Sequence, residues 1–254
     1  MSSLTVPLQI YGVKYRGMVP EGLDLPKTVY EACRRSKRPL RNGDIVVLTH
    51  TVVAKAEGYK VALSDVKPSN LAAAIGDTVG KPPELVEVIL KHSKRILRIH
   101  RHHLITQSNA GVVCANAGVD QSNVDGGKSV VVVPRQPDKL AAKYERKFLR
   151  LGAKVGVVIT DTLGRPFRIG DVNFAIGSSG IAPLNDLRGK RDLAGRRLRI
   201  KRIAIIDELA AAAELVTGSS SEGVIGAVIS GYRYKRSRKG AAALQRPFSD
   251  DLFI

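Results

Sequence analysis

Two carboxylates follow apolar, β-branched stretches of this sequence: Asp120 after GVVCANAGV and Asp161 after VGVVIT. A carboxylate at a strand end is held on a rigid element yet faces a cleft. Two such groups suit Mg²⁺ or Mn²⁺, hard cations that prefer oxygen ligands. If the two loops meet, they can hold one or two ions against a triphosphate, and a pair about 3.5–4 Å apart would clamp a phosphoryl group in transfer. On spacing alone the plainer reading, that each Asp serves its own turn, stays open.

The chain has no G-x-x-x-x-G-K-[ST] loop and no G-x-G-x-x-G after a strand, so a nucleotide site must use other loops. Gly218 to Gly223 reads GSSSEG between a helical stretch and a β-rich one. Its small residues let backbone N–H groups approach a phosphate, or simply make a flexible turn. His100, His102 and His103 lie in RIHRHH, where Arg98 and Arg101 disfavour a cation site. Cys33 and Cys114 are far apart, match no metal-ligand spacing and have no adjacent base, so neither a disulfide framework nor a thiol nucleophile is expected.

The elements that must position these groups are partly readable. Asp44 to Val53 (DIVVLTHTVV) reads as a buried strand leading into a turn, and Pro82 to His92 as a helix opened by prolines. Gly111 to Ala115, Ser129 to Val133 and Val155 to Thr160 read as short buried strands, the last ending at Asp161 and Thr162. Asp138 to Leu151 has helical periodicity with an Asp cap, and a further helix over 207–216 stops before Gly218. Val224 to Ile229 reads as a strand. Mixed rather than alternating elements predict an α/β fold of α+β character, and periodicity gives no strand order.

With 254 residues, 44% of them hydrophobic, the chain can bury a sizeable core, carried by Val, Ile, Leu and Ala because there is no Trp and aromatics are few. No apolar run follows Met1 and none approaches the roughly 20 residues of a membrane span, so a cytoplasmic protein with no membrane partner is expected. The formal charge of +18 draws polyanions: nucleotides, phosphorylated substrates or nucleic acid. Basic residues cluster at Arg34–Arg38, Arg196–Arg202 and Arg233–Lys239. Little aromatic interleaving accompanies them, which weighs against nucleic acid.

Read together, the longer strings are distinctive. They are TVVAKAEG (Thr51 to Gly58), NAGVDQSNV (Asn116 to Val124) and ITDTLGRPFRIG (Ile159 to Gly170). NFAIGSSGIAPL (Asn173 to Leu184), DLRGKRDLAGR (Asp186 to Arg196) and DELAAAAELVTG (Asp207 to Gly218) follow. In this order, over about Leu8 to Gly231, they resemble the coenzyme F420-0:L-glutamate ligase family, also called the F420 gamma-glutamyl ligases. The resemblance implies a ligase that uses GTP, Mg²⁺ or Mn²⁺ (two ions per site) and K⁺ to join L-glutamate to the deazaflavin precursor F420-0 through an acyl phosphate. A second, gamma-linked glutamate can follow. It also implies an unusual fold of mixed sheets with flanking helices, a single catalytic unit over 1–254 made of two intimate subdomains, and an intertwined homodimer.

On the matching positions, the resemblance makes Asp120 and Asp161 catalytic ligands of a first metal and Thr162 a ligand of the second. Asn123 matches a GTP contact, as does Lys55 with His50 and Thr51. Tyr11, Gly12, Val13 and Lys14 align with an N-terminal nucleotide contact. Thr217, Gly218, Ser219, Ser220, Ser221, Glu222, Gly223 and Val224 align with a loop closing over the nucleotide. Two positions depart from the pattern. His50 replaces a small hydroxyl residue, and Ser219 stands where Gln is expected, leaving Ser219 or Glu222 to complete the second metal site. These departures keep open a related ligase with another acceptor or amino acid; the basic runs keep open a nucleic-acid-binding protein on the same scaffold.

Overall fold

The computed structural model describes residues 7–251. β1 (Gln9–Lys14) leads to α1 (Leu25–Arg35), β2 (Ile45–Thr49) runs straight into α2 (His50–Ala56), and β3 (Lys60–Ala62) precedes α3 (Asn70–Val79) and α4 (Pro83–Lys91). A hairpin of β4 (Ser93–His100) and β5 (His103–Ser108) is followed by β6 (Val113–Ala115), β7 (Ser129–Val131) and α5 (Pro137–Arg150). Next come the long hairpin of β8 (Gly156–Arg165) and β9 (Arg168–Ser179), the short strands β10 (Leu184–Asp186) and β11 (Arg202–Ala204), α6 (Ile205–Thr217) and β12 (Val224–Ser230). The fold is mixed α/β, as expected. No helix among the described residues is long and apolar enough to cross a membrane.

The main sheet has the order β1-β12-β2-β8-β9. Only β2 and β8 pair in parallel, with Thr49 beside Thr160. Alternate residues of these strands serve two cores. Val46, Leu48, Val157 and Ile159 pack with Val29 of α1 and with Tyr144 and Phe148 of α5. Ile45, Val47 and Val158 pack with Ile206, Leu209 and Ala213 of α6. Strands covered on both faces must be apolar throughout, which is why they read as unbroken Val/Ile runs. Phe148, fully buried, contributes roughly 1.5–3 kcal/mol of transfer free energy. A separate core of Ile75, Val79, Val86 and Ile89 from α3 and α4 supports Ala117 and Val119, the approach to Asp120.

β9 is an edge strand, and its outward N–H groups are occupied by carboxylates. Asn173 N–H donates to Glu214 (3.1 Å), Ala175 N–H to Asp207 (3.0 Å) and Ser178 N–H to Asp138 (2.8 Å). An edge satisfied this way is closed to further strand pairing.

Four local readings need correction. The β-branched run at 50–53 is the start of α2 rather than a strand, because the chain turns over the sheet end at His50. β8 does not stop at Asp161 but continues to Arg165, sustained by pairing with β9. Of the short strand β6 only Cys114 is buried. The residue capping α5 is Gln136. Asp138 lies inside that helix and accepts from Ser178, Ala241 and Ala242 instead.

Candidate functional site

The candidate residues gather at one end of the main sheet. Parallel pairing brings the C-terminal half of β8 beside the end of β2, so His50 and Asp161 follow the paired residues Thr49 and Thr160. β12 runs antiparallel to β2 and β1 to β12, with Lys14 opposite Val224. That geometry delivers the end of β1 and the loop before β12 to the same end. Tyr15 N–H donates to Gly223 O at 2.8 Å, stitching them together.

Asp161 lies on the face of β8 that carries Val157 and Ile159. Its Oδ1 accepts the Thr162 N–H (2.9 Å) and stands 3.4 Å from His50 Nδ1. Its Oδ2 is turned to Gly118: a Cβ there would sit 3.1 Å from this oxygen and 2.5 Å from Val133, and the Gly118 φ is +71°. Only glycine lets the 116–118 turn pass so close to the carboxylate. Asp120 follows in an isolated bridge with Val131, its Oδ1 accepting the Ser122 N–H (2.8 Å) and its Oδ2 the Ser122 hydroxyl (2.5 Å).

Burial by itself would push the His50 imidazole down. Asp161 first, then a hydrogen bond to the Val132 backbone and the charge of Asp120, more than offset this, and its pKa lies above the ordinary 6.5. The loop that leads to Asp120 meets β8 at Gly118, which packs against the Asp161 carboxylate. The thiol of Cys114 is pushed up to about 12, first by burial and then by Asp161. Burial likewise raises Cys33, to about 11. Neither behaves as a nucleophile near neutral pH.

A second junction joins three distant segments. Lys55 Nζ, on α2, donates to the Asn123 carbonyl, and Asn123 Nδ2 donates to Ser220 O at 2.9 Å. Asn123 has a φ of +52°, a left-handed conformation that Asn tolerates. α2 is itself fixed from below. Glu57, just after it, accepts from Tyr144 (2.9 Å) and Lys143 (2.6 Å) of α5.

On the opposite face of β8, Thr162 Oγ1 donates to Asn173 Oδ1 at 2.6 Å. Asn173 N–H and Ser219 Oγ donate to the two carboxylate oxygens of Glu214, at 3.1 and 2.9 Å. Glu222 accepts the Ser220 N–H at 2.8 Å and folds back over Gly218. Asn173 and Glu214 escaped the sequence reading. The signal for Asn173 was a lone buried amide in its strand, and that for Glu214 an acid in the last turns of an alanine-rich helix.

The expected N-terminal contacts divide. Gly12 lies against the end of α6, where a Cβ would meet Val216 O at 3.1 Å. Tyr11 turns away beneath the guanidinium of Arg38, 4.4 Å from its ring centre. Val13 and Thr217 are buried, and Thr51 is half-buried at the start of α2. The three histidines lie on the β4–β5 hairpin, apart from these groups.

Among the described residues, no three His, Cys, Asp or Glu side chains converge as a metal cage. Asp120 and Asp161 nevertheless offer the oxygen donors that a hard cation takes, whereas the hydroxyls of Thr162 and Ser219 are engaged by Asn173 and Glu214. Mg²⁺ takes only one or two carboxylates, filling its shell with substrate phosphates and water.

The chain matches the family model described as F420-0:Gamma-glutamyl ligase over residues 14–231. It is 42% identical to the coenzyme F420:L-glutamate ligase of Methanothermobacter thermautotrophicus over 249 residues, 97% of this chain and 98% of that protein. It is 42% identical to the protein of the same name from Methanopyrus kandleri, covering 97% of each, and 38% identical to that of Archaeoglobus fulgidus, covering 88% of each.

Proposed function

Because the chain belongs to the F420-0:gamma-glutamyl ligase family, we propose that it joins L-glutamate to coenzyme F420-0, driven by GTP. The names of its relatives support the ligase reaction and its two substrates. The observation that carries the nucleotide reading is the Lys55–Asn123–Ser220 junction on the loop that follows Asp120.

A free carboxylate is a poor acylating agent, so it must first gain a leaving group. In the proposed reaction an acceptor carboxylate oxygen attacks the γ-phosphorus of GTP, the bond to the β,γ-bridging oxygen breaks, and GDP leaves. The amine of glutamate then attacks the acyl carbon. The C–N bond forms, the C–O bond to phosphate breaks, phosphate departs and the nitrogen loses a proton. Asp120 and Asp161, with Thr162 and with Ser219 or Glu222, are the groups that would hold Mg²⁺ or Mn²⁺; the ions supply positive charge that lets a carboxylate approach a triphosphate. Lys55 and the 217–224 loop bind and orient the nucleotide, and K⁺ completes the proposed cofactor set. A gamma-linked second glutamate belongs to the same proposal.

We also read the active form as a homodimer. Ile169 on the β8–β9 hairpin, and Leu193 and Ile200 between β10 and β11, are almost wholly solvent-exposed, as large apolar side chains at an interface would be in one isolated protomer. A monomer mass by light scattering would refute this.

The reaction is tested by incubating the protein with GTP, Mn²⁺, F420-0 and glutamate and weighing the coenzyme. A mass gain of one glutamyl residue, with GDP and phosphate released, is the expected result. GTP turnover only with another acceptor would overturn the assignment.

A further inference from the structure

Along β8 and β9 beyond Asp161 lies a cavity of about 450 Å³, within the size range of small-molecule sites. Asp161 is outside its lining, two residues before Leu163 of β8, which belongs to it. Phe174, in its lining, stands directly across the β8–β9 ladder from Asp161. The two side chains therefore share a face, their Cβ atoms about 5 Å apart. Leu163 and Arg165 follow Asp161 on that face and line the cavity, which runs roughly 7 Å along the strand between them. Val113 of β6 forms another wall, and the segment 241–251 crosses the far side.

The lining has two chemistries. Phe174, Leu163, Val113 and Phe248 offer flat or aliphatic surface. Arg95 lies over the Phe248 ring, 3.7 Å from its centre, and is oriented by Gln107 at 2.8 Å. Arg165 and Arg246 add two more guanidinium groups, against the carboxylates of Asp207 and Asp251. Asp207 is already turned to the Ala175 N–H. Two bonds from Arg165 reach the hairpin carbonyls of Ile169 and Gly170, while its Nε is buried without a partner.

We propose that this cavity seats the acceptor, with the planar deazaflavin ring against Phe174, Leu163 and Val113 and the anionic chain received by Arg165 and Arg246. The proposal rests on the ligase reading and deepens it. It puts the acceptor on one side of Asp161 and the nucleotide on the other, so that the γ-phosphoryl group passes between them at the carboxylates. The ring is flat, with faces that stack on apolar surface, the chain is anionic, and the cavity supplies surface for the first and guanidinium groups for the second.

The test is direct binding of F420-0 by its deazaflavin fluorescence, with GTP binding measured in parallel. Val113 is 44% exposed, so Val113→Trp fills the cavity without rebuilding a core. It should weaken F420-0 binding at least tenfold and leave the GTP dissociation constant within twofold of wild type. Arg246→Gln should weaken F420-0 about tenfold and Arg246→Lys much less, because an exposed charge carries the effect. Wild-type affinity for F420-0 in both Val113→Trp and Arg246→Gln removes the acceptor from this cavity while the ligase reading stands. Failure of the wild-type protein to bind or glutamylate F420-0 overturns the ligase reading and this site with it.

Discussion

The Lys55 ammonium donates to the main-chain carbonyl of Asn123, 68 residues further along the chain. That bond fastens α2 to the loop carrying Asp120, and Asn123 in turn fastens the loop to Ser220. Burial depresses the Lys55 pKa below its ordinary 10.5 and nearby Lys60 adds to this, while Asp120 acts the other way. A partly desolvated cation held by a carbonyl is well prepared to meet phosphate oxygens.

Replacing Lys55 by Ala tests that role. Loss of a charged hydrogen bond is worth about 1.5–3 kcal/mol, so the apparent KM for GTP should rise roughly 10–100-fold while that for glutamate moves less than about twofold. Equal rises for both substrates would show that the lysine supports the site in general and not the nucleotide.

Asp161→Asn separates charge from shape. The amide oxygen can still accept the Thr162 N–H, so the strand should hold and thermal unfolding should stay within about 3 °C of wild type. Ligation at saturating Mn²⁺ should fall at least about 100-fold, since in the proposed reaction the lost charge holds the metal against the phosphates. Full activity in this variant would remove Asp161 from the metal site.

Much of the main sheet was legible in the sequence, and the reasons are physical. β2, β8 and β12 are buried on both faces, so their apolar runs could hardly be anything else. α2 was misread because seven residues are too few to show a 3.6-residue period, and His-Thr-Val-Val carries β propensity that its tertiary setting overrides. β8 was cut short because its outer half alternates exposed and half-buried residues and depends on β9, which sequence does not announce. The convergence of Lys55, Asn123 and Ser220 is a property of strand order. Local pattern is silent on strand order, and only the resemblance named those residues together. Asn173 and Glu214 were missed for a related reason: each acts through partners far away in sequence.

Asp138 should matter more to stability than any surface acid. It accepts from the N–H groups of Ser178, Ala241 and Ala242, at 2.8, 2.8 and 3.1 Å, holding both the β9 edge and the C-terminal segment. Asp138→Ala strands these donors and should cost about 3 kcal/mol, or roughly 6–12 °C in Tm for a chain of this size. Asp138→Asn, which keeps an acceptor, should lose less. Equal, small losses in the two variants would mean that water replaces the carboxylate.

Asp207 provides a pH signature. Burial raises its pKa above the ordinary 3.8, and the Ala175 N–H only partly restrains the rise. A carboxyl with a raised folded-state pKa contributes its stability in full below 3.8 and loses it as pH climbs through the folded value. Asp207→Asn cannot titrate yet still accepts from Ala175. Its Tm relative to wild type should therefore become more favourable as pH rises across that window and level off above it. A difference independent of pH would show that burial does not perturb this group.

Glu214 links the 217–224 loop, proposed to close over the nucleotide, to β9, accepting from Asn173 N–H with one oxygen and Ser219 Oγ with the other. Gln at this position can accept at only one of the two sites, because its NH₂ group is a donor. The β9 edge bond is the more enclosed, so the amide oxygen should stay with Asn173 and the Ser219 anchor should be lost. Breaking one hydrogen bond of about 1–2 kcal/mol loosens residues 218–223 without opening the core. Glu214→Gln should therefore raise the apparent KM for GTP roughly tenfold while leaving the KM for glutamate near its wild-type value. Thermal stability should drop by only about 2–5 °C. If stability falls steeply and both KM values stay put, Glu214 is a fastening of the β9 edge and nothing more; if GTP affinity alone suffers, the carboxylate sets the position of the loop that closes on the nucleotide.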